Sequence, residues 1–458
     1  MDSTLTPPPQ EQQDKQGWRE LSRSIFRLGW PTITEQLLIM LVGVFMTMLI
    51  GRISSSAIAA NGLINSIFMF VQAVFAALST GSTVLIARLT GEGSPLVRQA
   101  ALQSLILVVV SSIVITVACY IFAEPLLRLF MAGSPADVFE QGMTLFRILL
   151  VSMPLLMVNI VVSGVFRGVG NMVLPLVVSG VVNIVYLIVG NVMVSGMQMG
   201  IAGAAWAAVI ARALGCLMIV AAIYMGKGRI SLSRADGFKP DVPMVRRILN
   251  IGLPASVEQL VMQGGFLVLN AIVLGMGVLD GAAYPIVMSI NSFAFMPAFG
   301  LSISLSTLVG HSLGEGRPEK AERYARQTLV MTMVMLACIS IPLFLFSHPI
   351  ATLYTTADNT AVIELTSKCV KILALGEPLL AVMTILSATL RAAGDIKYIM
   401  YTSIVGIWTL RILLSMLADK LTGLGVLATM VCILIDFAVR SAMYYHRFRR
   451  GRWKQIKI

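Results

Sequence analysis

The stretch Leu28-Gly29-Trp30-Pro31-Thr32-Ile33-Thr34-Glu35-Gln36-Leu37-Leu38 opens a long apolar segment and carries a carboxylate inside it. The same order of residues returns at Ile251-Gly252-Leu253-Pro254-Ala255-Ser256-Val257-Glu258-Gln259-Leu260-Val261. Both copies read Gly-x-Pro-x-x-x-Glu-Gln-Leu, and the step from Glu35 to Glu258 is close to half the length of the chain. Because the chain has 458 residues, a repeat of this length divides it into two halves.

Two further motifs recur at nearly the same spacing. Gly91-Glu92-Gly93 returns as Gly314-Glu315-Gly316, and the step from the first copy to the second equals the step from Glu35 to Glu258. Phe166-Arg167-Gly168-Val169-Gly170-Asn171 is matched by Leu390-Arg391-Ala392-Ala393-Gly394-Asp395, after a step that is longer by a single position. The repeat therefore runs along the whole chain, and the two halves are copies of one unit.

The composition is that of an integral membrane protein. Hydrophobic residues make up 57% of the chain and charged residues 12%, with a mean hydropathy of +0.86, which is too apolar for a soluble protein of this size. A membrane-spanning helix needs about 20 mostly apolar residues. The apolar runs are continuous rather than alternating, which indicates helices and not the strands of a barrel. Twelve spans are predicted, at residues 24–50, 57–85, 99–123, 139–163, 172–196, 201–225, 248–275, 281–310, 323–347, 364–388, 398–418 and 423–445.

The repeat and the spans together predict an all-α membrane protein with twelve transmembrane helices in two six-helix bundles. An even number of spans per half makes both halves cross the membrane in the same direction, related by a pseudo-two-fold axis along the membrane normal. Two similar bundles that face each other enclose a cavity, which is the arrangement of a secondary transporter. The predicted domains are a disordered cytoplasmic tail at 1–23, an N-lobe at 24–225, a basic cytoplasmic linker at 226–247, a C-lobe at 248–445 and a basic cytoplasmic tail at 446–458.

The net charge of +12 is concentrated on one face of the predicted bundle, so it does not indicate a nucleic-acid partner. About 25 lysines and arginines flank the spans on the face that carries both termini, against about six on the other face. Positive charge is enriched in cytoplasmic loops, which predicts a multi-pass membrane protein with both termini in the cytoplasm. The basic tail is interpreted as a solvated end that interacts loosely with anionic lipid.

The sequence offers no cluster that would form a metal site or a catalytic centre. The cysteines are scattered through the apolar runs without a pairing pattern, and the three histidines are dispersed, so neither a metal nor a cofactor is predicted. The motifs of hydrolases and nucleotide-binding loops are absent from the sequence. We therefore expect no enzymatic activity.

With its motifs in this order, the chain resembles the multidrug and toxic compound extrusion (MATE) transporters, and most of all their DinF-like prokaryotic branch. The resemblance covers roughly residues 20–450 and also includes Gly51-Arg52 and Asp436-x-x-x-Arg440. It implies two six-helix lobes that export amphipathic, often cationic compounds in exchange for inward flow of H⁺ or Na⁺. It also implies that the protein is a multi-pass protein of a prokaryotic plasma (inner) membrane. One departure concerns the N-lobe: where many relatives have an acidic residue in the first span, this chain reads Phe45-Met46-Thr47, and its fifth span offers Asn183 and Asn191 but no carboxylate.

Charged side chains inside the spans are the first candidates for coupling. Each costs about 2.5 to 3.5 kcal/mol to insert, so a functional role is the default hypothesis. We predict that Glu35, Glu258 and Glu377 bind the coupling ion, because a desolvated carboxylate takes up a proton readily. Glu35 is expected near mid-membrane, well away from the cytoplasmic arginines. The alternative is structural: Glu35 and Glu258 hydrogen-bond to neighbouring helices, and Glu377 accompanies a helix bend at the proline that follows it.

The other charged residues inside the spans are Asp436, Arg212, Arg411 and Arg440. Asp436 and Arg440 are four residues apart on one helix face, which favours an intrahelical ion pair. No role is predicted for Arg212 or Arg411.

Polar and flexible apolar side chains near these carboxylates are predicted to line the substrate cavity. The predicted lining residues are Gln36, Met40, Met46, Thr47, Asn65, Gln72, Asn159, Asn183, Gln259, Met262, Gln263 and Asn291. The cavity is expected to be acidic and rich in methionine, whose thioethers adapt to varied apolar shapes. The alternative for each residue is ordinary helix packing or an interhelical hydrogen bond.

The function predicted from these features is secondary active multidrug efflux by alternating access, with H⁺ or Na⁺ as the coupling ion. The expected partners are small amphipathic substrates and membrane lipids, and the expected oligomeric state is a monomer. The alternative function is a flippase for lipid-linked precursors from the same superfamily, which usually has additional spans and a cationic cavity.

Overall fold

The computed structural model describes residues 10–131, 133–226, 240–355 and 359–456, with the backbone alone at residues 10–17 and at Ser55. Twelve helices in these ranges are long and apolar enough to cross a membrane, as predicted. They are α1 Gln10–Gly51, α2 Ser55–Gly91, α3 Leu96–Ile121, α4 Ala136–Gly168, α5 Val173–Gly196, α6 Gly200–Tyr224, α7 Val242–Met276, α8 Val278–Gly314, α9 Pro318–Leu345, α10 Thr360–Ala392, α11 Ile396–Thr422 and α12 Val426–Arg449. Short helices at Ala123–Phe130 and Ser347–Thr352 precede α4 and α10.

Glycines end the long helices at the repeated turns. Gly93 follows α2 with φ +65° and Gly316 follows α8 with φ +70°, both in the left-handed region that glycine adopts without strain. Gly170 and Gly394 have φ +88° and +91° after α4 and α10. The repeated motifs therefore stop four helices at equivalent places in the two halves.

Each half packs as a six-helix bundle around an apolar interior. Phe75 and Phe146 are buried among α1 to α6, which form the N-lobe. Met430 and Phe437 are buried among α7 to α12, which form the C-lobe. The described residues contain no β-strand, so the predicted all-α fold of twelve spanning helices is confirmed.

The two lobes meet closely at one end of the bundle. Thr32 in α1 donates a hydrogen bond from Oγ1 to the carbonyl oxygen of Gly300 in α8 at 2.8 Å. A Cβ atom at Gly91 would lie 2.2 Å from the carbonyl oxygen of His311, and one at Gly314 would lie 2.1 Å from that of Arg88. Only glycine permits this approach. We call this end, where the two Gly-Glu-Gly turns meet, the closed end.

The C-terminal residues lie at the closed end and contact both lobes. Trp453 is fully buried and stacks on Phe448, with ring centroids 5.4 Å apart. Arg88 of the N-lobe donates from Nη2 to the carbonyl oxygen of Ile456 at 2.8 Å. The expectation of a solvated tail is therefore wrong for Trp453 and Ile456, because the indole of Trp453 buries its apolar surface. It holds for Arg449, Arg450 and Arg452, which are exposed.

Three of the predicted domain boundaries also change. The helix α12 ends at Arg449, inside the predicted tail at 446–458. The helix α1 begins at Gln10, so the N-terminal segment predicted to be disordered is helical from that residue, and the carbonyl oxygen of Trp18 accepts a hydrogen bond from Gln327 at 2.6 Å. The helix α7 begins at Val242, inside the predicted linker, where Asp241 caps it by accepting from the backbone N–H of Met244 at 3.1 Å. Residues 1–9 and 227–239 lie outside the described residues.

Candidate functional site

A cavity of about 630 Å³ lies between the two lobes, within the size range of sites for drug-sized molecules. Helices α1, α2, α4, α5 and α6 of the N-lobe form most of its wall. The C-lobe adds residues that include Gln259 of α7, Phe299 of α8 and Arg391 of α10. The wall extends from Ile50, at the far end of α1, to Arg167, near the closed end. The site is thus shared between the lobes and sealed on the side where they meet.

Most of the predicted lining residues do face this cavity. The polar side chains come from several helices, because each helix turns one face towards the space between the lobes. The predicted residues found in the wall are Gln36, Met46, Thr47, Asn65, Gln72, Asn159, Asn183 and Gln259, together with Glu35.

Four predicted lining residues, Met40, Met262, Gln263 and Asn291, are not among those that form this wall. Met262 packs against the apolar interior of the C-lobe. Asn291 donates from Nδ2 to Oε1 of Glu377 at 3.0 Å, inside the C-lobe. The cavity lies mainly against the N-lobe, so equivalent polar positions in the two halves have different surroundings.

Glu35 lies at the cavity wall and is paired with a cation. Its Oε1 atom is 2.7 Å from Nη2 of Arg167, and the carboxylate side chain is 5% exposed. The expectation that Glu35 lies well away from the cytoplasmic arginines is therefore wrong. Arg167 belongs to the last turn of α4, and helix side chains point back towards the N-terminus of their helix, so its guanidinium reaches into the bundle.

The C-lobe repeats this arrangement with the second copies of both motifs. Nη2 of Arg391 lies 2.8 Å from Oε1 and 3.0 Å from Oε2 of Glu258, whose side chain is 3% exposed. Ser403 in α11 donates to the same carboxylate at 3.3 Å. In each lobe, the glutamate of the Gly-x-Pro-x-x-x-Glu motif thus forms an ion pair with the arginine near the end of the fourth helix. We call the turns that contain these arginines, at residues 166–171 and 390–395, the arginine turns.

Glu377, the third predicted coupling residue, has no such partner. It is 1% exposed in the interior of the C-lobe. Asn291 hydrogen-bonds to its Oε1 atom, whereas Oε2 is buried without a hydrogen-bond partner. Within the described ranges no lysine, arginine or histidine lies at ion-pair distance from it.

Asp436 and Arg440 form the predicted intrahelical ion pair, with Arg440 Nη2 at 2.5 Å from Oδ2. A second cation, Arg411 of α11, lies 2.5 Å from the same oxygen through Nε. Arg411 also stacks over the rings of Phe266 and Phe437. This network lies inside the C-lobe and stabilises the contact between α11 and α12.

The charge of the cavity differs from the sequence-based expectation. Its wall contains the carboxylate of Glu35 and the guanidinium groups of Arg167, Arg212 and Arg391. Among the described residues that line it, Met46 is the single methionine. The expected acidic, methionine-rich cavity is therefore wrong. Arg212 received no predicted role, although the cost of placing an arginine in an apolar span was a signal that could have identified it.

Comparison with known proteins connects this architecture to a family. The MatE family model matches residues 31–193 and 254–417, one segment in each lobe. The probable multidrug resistance protein NorM of Thermotoga maritima is 28% identical over 444 residues, which cover 96% of this chain and 94% of that protein. The probable multidrug resistance protein YoeA of Bacillus subtilis is 25% identical, with 96% of this chain and 95% of that protein covered.

Solved structures share the fold at lower sequence identity. A MOP superfamily transporter from Pyrococcus furiosus superposes with a TM-score of 0.88 at 22% identity, covering 95% of this chain and 97% of that one. That structure was described as having a binding pocket of reverse polarity, which suggested a different function for that protein.

Proposed function

Because the chain belongs to the MatE family of membrane transporters, we propose that it exports amphipathic organic compounds by alternating access, in exchange for H⁺ or Na⁺. The observation that carries this proposal is the cavity between the lobes, lined from both and sealed where the two Gly-Glu-Gly turns meet. A site between two duplicated bundles opens to either face when one bundle rocks against the other. The relatives named as multidrug resistance proteins support efflux as the direction of transport.

The three predicted coupling carboxylates differ in what protonation would cost. Glu377 accepts a proton without losing an ion pair, because no cation contacts it in the described part of the chain. Glu35 and Glu258 would each lose the electrostatic contact with an arginine. We assign the principal coupling site to Glu377 and propose that the two arginine pairs rearrange when the lobes move.

The closed end carries the C-terminal residues and the basic turns, so we assign it to the cytoplasmic side of a prokaryotic inner membrane. The conformation in hand is then the outward-facing one, in which the cavity is sealed from the cytoplasm. The coupling ion then enters the cavity from outside the cell, as it must when its inward flow drives export.

Transport by the purified protein in proteoliposomes tests this function. A panel of fluorescent amphipathic dyes of both charge signs is loaded, and a pH gradient or a sodium gradient is imposed in separate experiments. We expect dye movement under one gradient, abolished when an ionophore collapses it. Failure of both gradients to move any dye, with protein that elutes as a single folded species, would contradict the proposal.

A further inference from the structure

Given the proposed transport function, on which this inference rests, we propose that the cavity binds the anionic group of an amphipathic organic acid at Arg212. The site, which we call the Arg212 site, consists of Arg212 in α6, Asn183 and Tyr186 in α5, and Asn159 in α4, all of which line the cavity. Its ligand is a carboxylate, phosphate or sulfonate carried on an apolar body.

The charge balance of the wall leaves one cation uncompensated. Arg167 is neutralised by Glu35 and Arg391 by Glu258. Arg212 donates from Nη1 to the neutral oxygen of Ser152 at 2.6 Å, and no carboxylate of the described residues forms an ion pair with it. An unpaired guanidinium within the membrane is costly unless a partner or a function retains it.

The same cavity wall also leaves a buried hydrogen-bond donor free for a ligand. The amide nitrogen Nδ2 of Asn183 is buried without a partner. Tyr186 is three residues further along α5, on the same helix face, and it also lines the cavity. Asn159 accepts from Ser163 through Oδ1 at 3.3 Å, and its Nδ2 atom lies beside Gly215, one turn after Arg212. A group that accepts several hydrogen bonds and carries negative charge completes this arrangement.

The second lobe shows what the first one lacks. Helix α12 of the C-lobe corresponds to α6 of the N-lobe, and it also carries a charged residue inside the membrane-spanning segment, Asp436. The charge of this acid is met by Arg411 and Arg440. In the N-lobe the sign is reversed and the described residues supply no counter-ion, so the counter-ion is assigned to the substrate.

The surroundings of the site suit the apolar part of such a molecule. The wall next to the polar group includes Leu149, Leu156, Ile160, Val182 and Ala208. These side chains come from the same three helices as the donors, so an apolar body and its acidic group can be accommodated together. Binding of the organic acid would bury both parts.

A rhodamine free acid and its methyl ester, which differ only in the carboxylate, test the proposal directly. Their affinity for the purified protein is measured by fluorescence anisotropy after reconstitution in phosphatidylcholine. We expect the free acid to bind about tenfold more tightly, the value of one charged hydrogen bond. Equal affinity for acid and ester in the unmodified protein would overturn the proposal without requiring any variant.

Variants assign the effect to the proposed residue. Arg212→Gln is expected to weaken binding of the acid about tenfold and to leave binding of the ester within about twofold, and Arg212→Lys is expected to restore part of the difference. Arg128→Gln removes an exposed arginine outside the cavity and serves as the control. A merely structural role of Arg212 would weaken both dyes equally and would contradict the proposal.

Two sources of the anionic group are separated by lipid composition. Adding phosphatidylglycerol to the vesicles would compete with the free acid if a lipid headgroup occupies the same site, and this competition should vanish in Arg212→Gln. Unchanged binding of the acid assigns the site to soluble organic acids. The binding measurement is also independent of transport. If a gradient moves the ester while the acid and the ester bind with equal affinity, this inference is overturned and the proposed function stands.

Discussion

Arg167 Nη2 lies 2.7 Å from Oε1 of Glu35 at the wall of the central cavity, so the arginine turn and the first proline–glutamate motif form one unit in the folded chain. The second oxygen of Glu35 and the Nε atom of Arg167 are buried without partners. The pair therefore satisfies only part of the hydrogen-bonding capacity of both groups. The ion pair links α1 and α4, and the unsatisfied atoms allow both groups to exchange hydrogen-bond partners when the helices move.

Removing one partner of this pair should be more harmful than removing both. Arg167→Gln leaves the carboxylate of Glu35 buried without its cation, and the unfolding free energy is expected to fall by about 3 to 5 kcal/mol. The double variant Glu35→Gln, Arg167→Gln should recover much of this loss, because no uncompensated charge remains. Thermal unfolding of the purified proteins in detergent measures both effects.

The exposed ion pair between Arg128 and Glu124, with an N–O distance of 2.6 Å, provides the comparison. Arg128→Gln should change stability by less than about 1 kcal/mol, since exposed pairs contribute little. A double variant no more stable than Arg167→Gln would show that the Glu35 carboxylate is not destabilising once its cation is removed.

Neutralising Glu377 should uncouple transport without unfolding the protein. Glu377→Gln keeps the size of the side chain and the contact with Asn291, but it removes the group proposed to take up the coupling ion. We expect gradient-driven dye transport to fall by at least about tenfold, with dye binding and the unfolding temperature nearly unchanged.

The matched control lies on the same helix. Glu364 is exposed at the start of α10 and forms an ion pair with Lys368 at 2.8 Å, so Glu364→Gln removes a carboxylate outside the interior of the C-lobe. This variant should transport at the unmodified rate. Full coupling in Glu377→Gln would transfer the principal role to Glu35 or Glu258.

A side chain at Gly91 should open the closed end. A Cβ atom there would lie 2.2 Å from the carbonyl oxygen of His311, so Gly91→Val cannot form the close contact between the lobes. We expect Ser306→Cys, introduced at the cavity wall after removal of the native cysteines, to react faster with a thiol reagent applied at the closed end. Gly62→Val is the control, because nothing lies within 4 Å of the position of its Cβ atom. Equal labelling rates would contradict the role of the glycine contact.

Loss of the buried indole should loosen the C-terminal residues from the bundle. Trp453→Ala removes a side chain that is 0% exposed, and buried aromatic residues contribute about 3 to 5 kcal/mol when truncated. We expect a lower unfolding temperature and faster proteolysis after Arg450. Trp206→Ala, at a position that is 40% exposed on the outer surface, should have a much smaller effect, and the reverse order would argue against the packing of the tail.

The apolar runs were enough to predict the number of spans, and the duplicated motifs were enough to predict the division into lobes and the equivalence of Glu35 with Glu258. The partners of these residues could not be predicted in the same way. The ion pair of Arg167 with Glu35 was not predicted, because the place of Arg167 in the last turn of α4 and the direction of its side chain depend on where the helix ends. A repeat shows that two positions are equivalent, and it does not show what either one contacts.

The cavity shows a second limit. Met46 lines it and Met40 does not, although both lie on α1, because the exposed face of a helix depends on how its neighbours pack. For Arg212, the cost of inserting a charge into the membrane could be recognised from the sequence. The absence of a counter-ion among the described residues could be recognised only from the packing of the surrounding helices.

Glu377 and Arg212 lie in different lobes, and this separation determines how the proposed exchange can work. In the proposed mechanism, a proton on Glu377 and an organic anion at Arg212 do not displace one another, so both can be bound at once. Their mutual influence is then a linkage between remote sites, and each must change the affinity of the other by the same factor. That influence has to pass through the contacts at which the lobes meet, so the rate and direction of exchange depend on the interface as much as on either binding group.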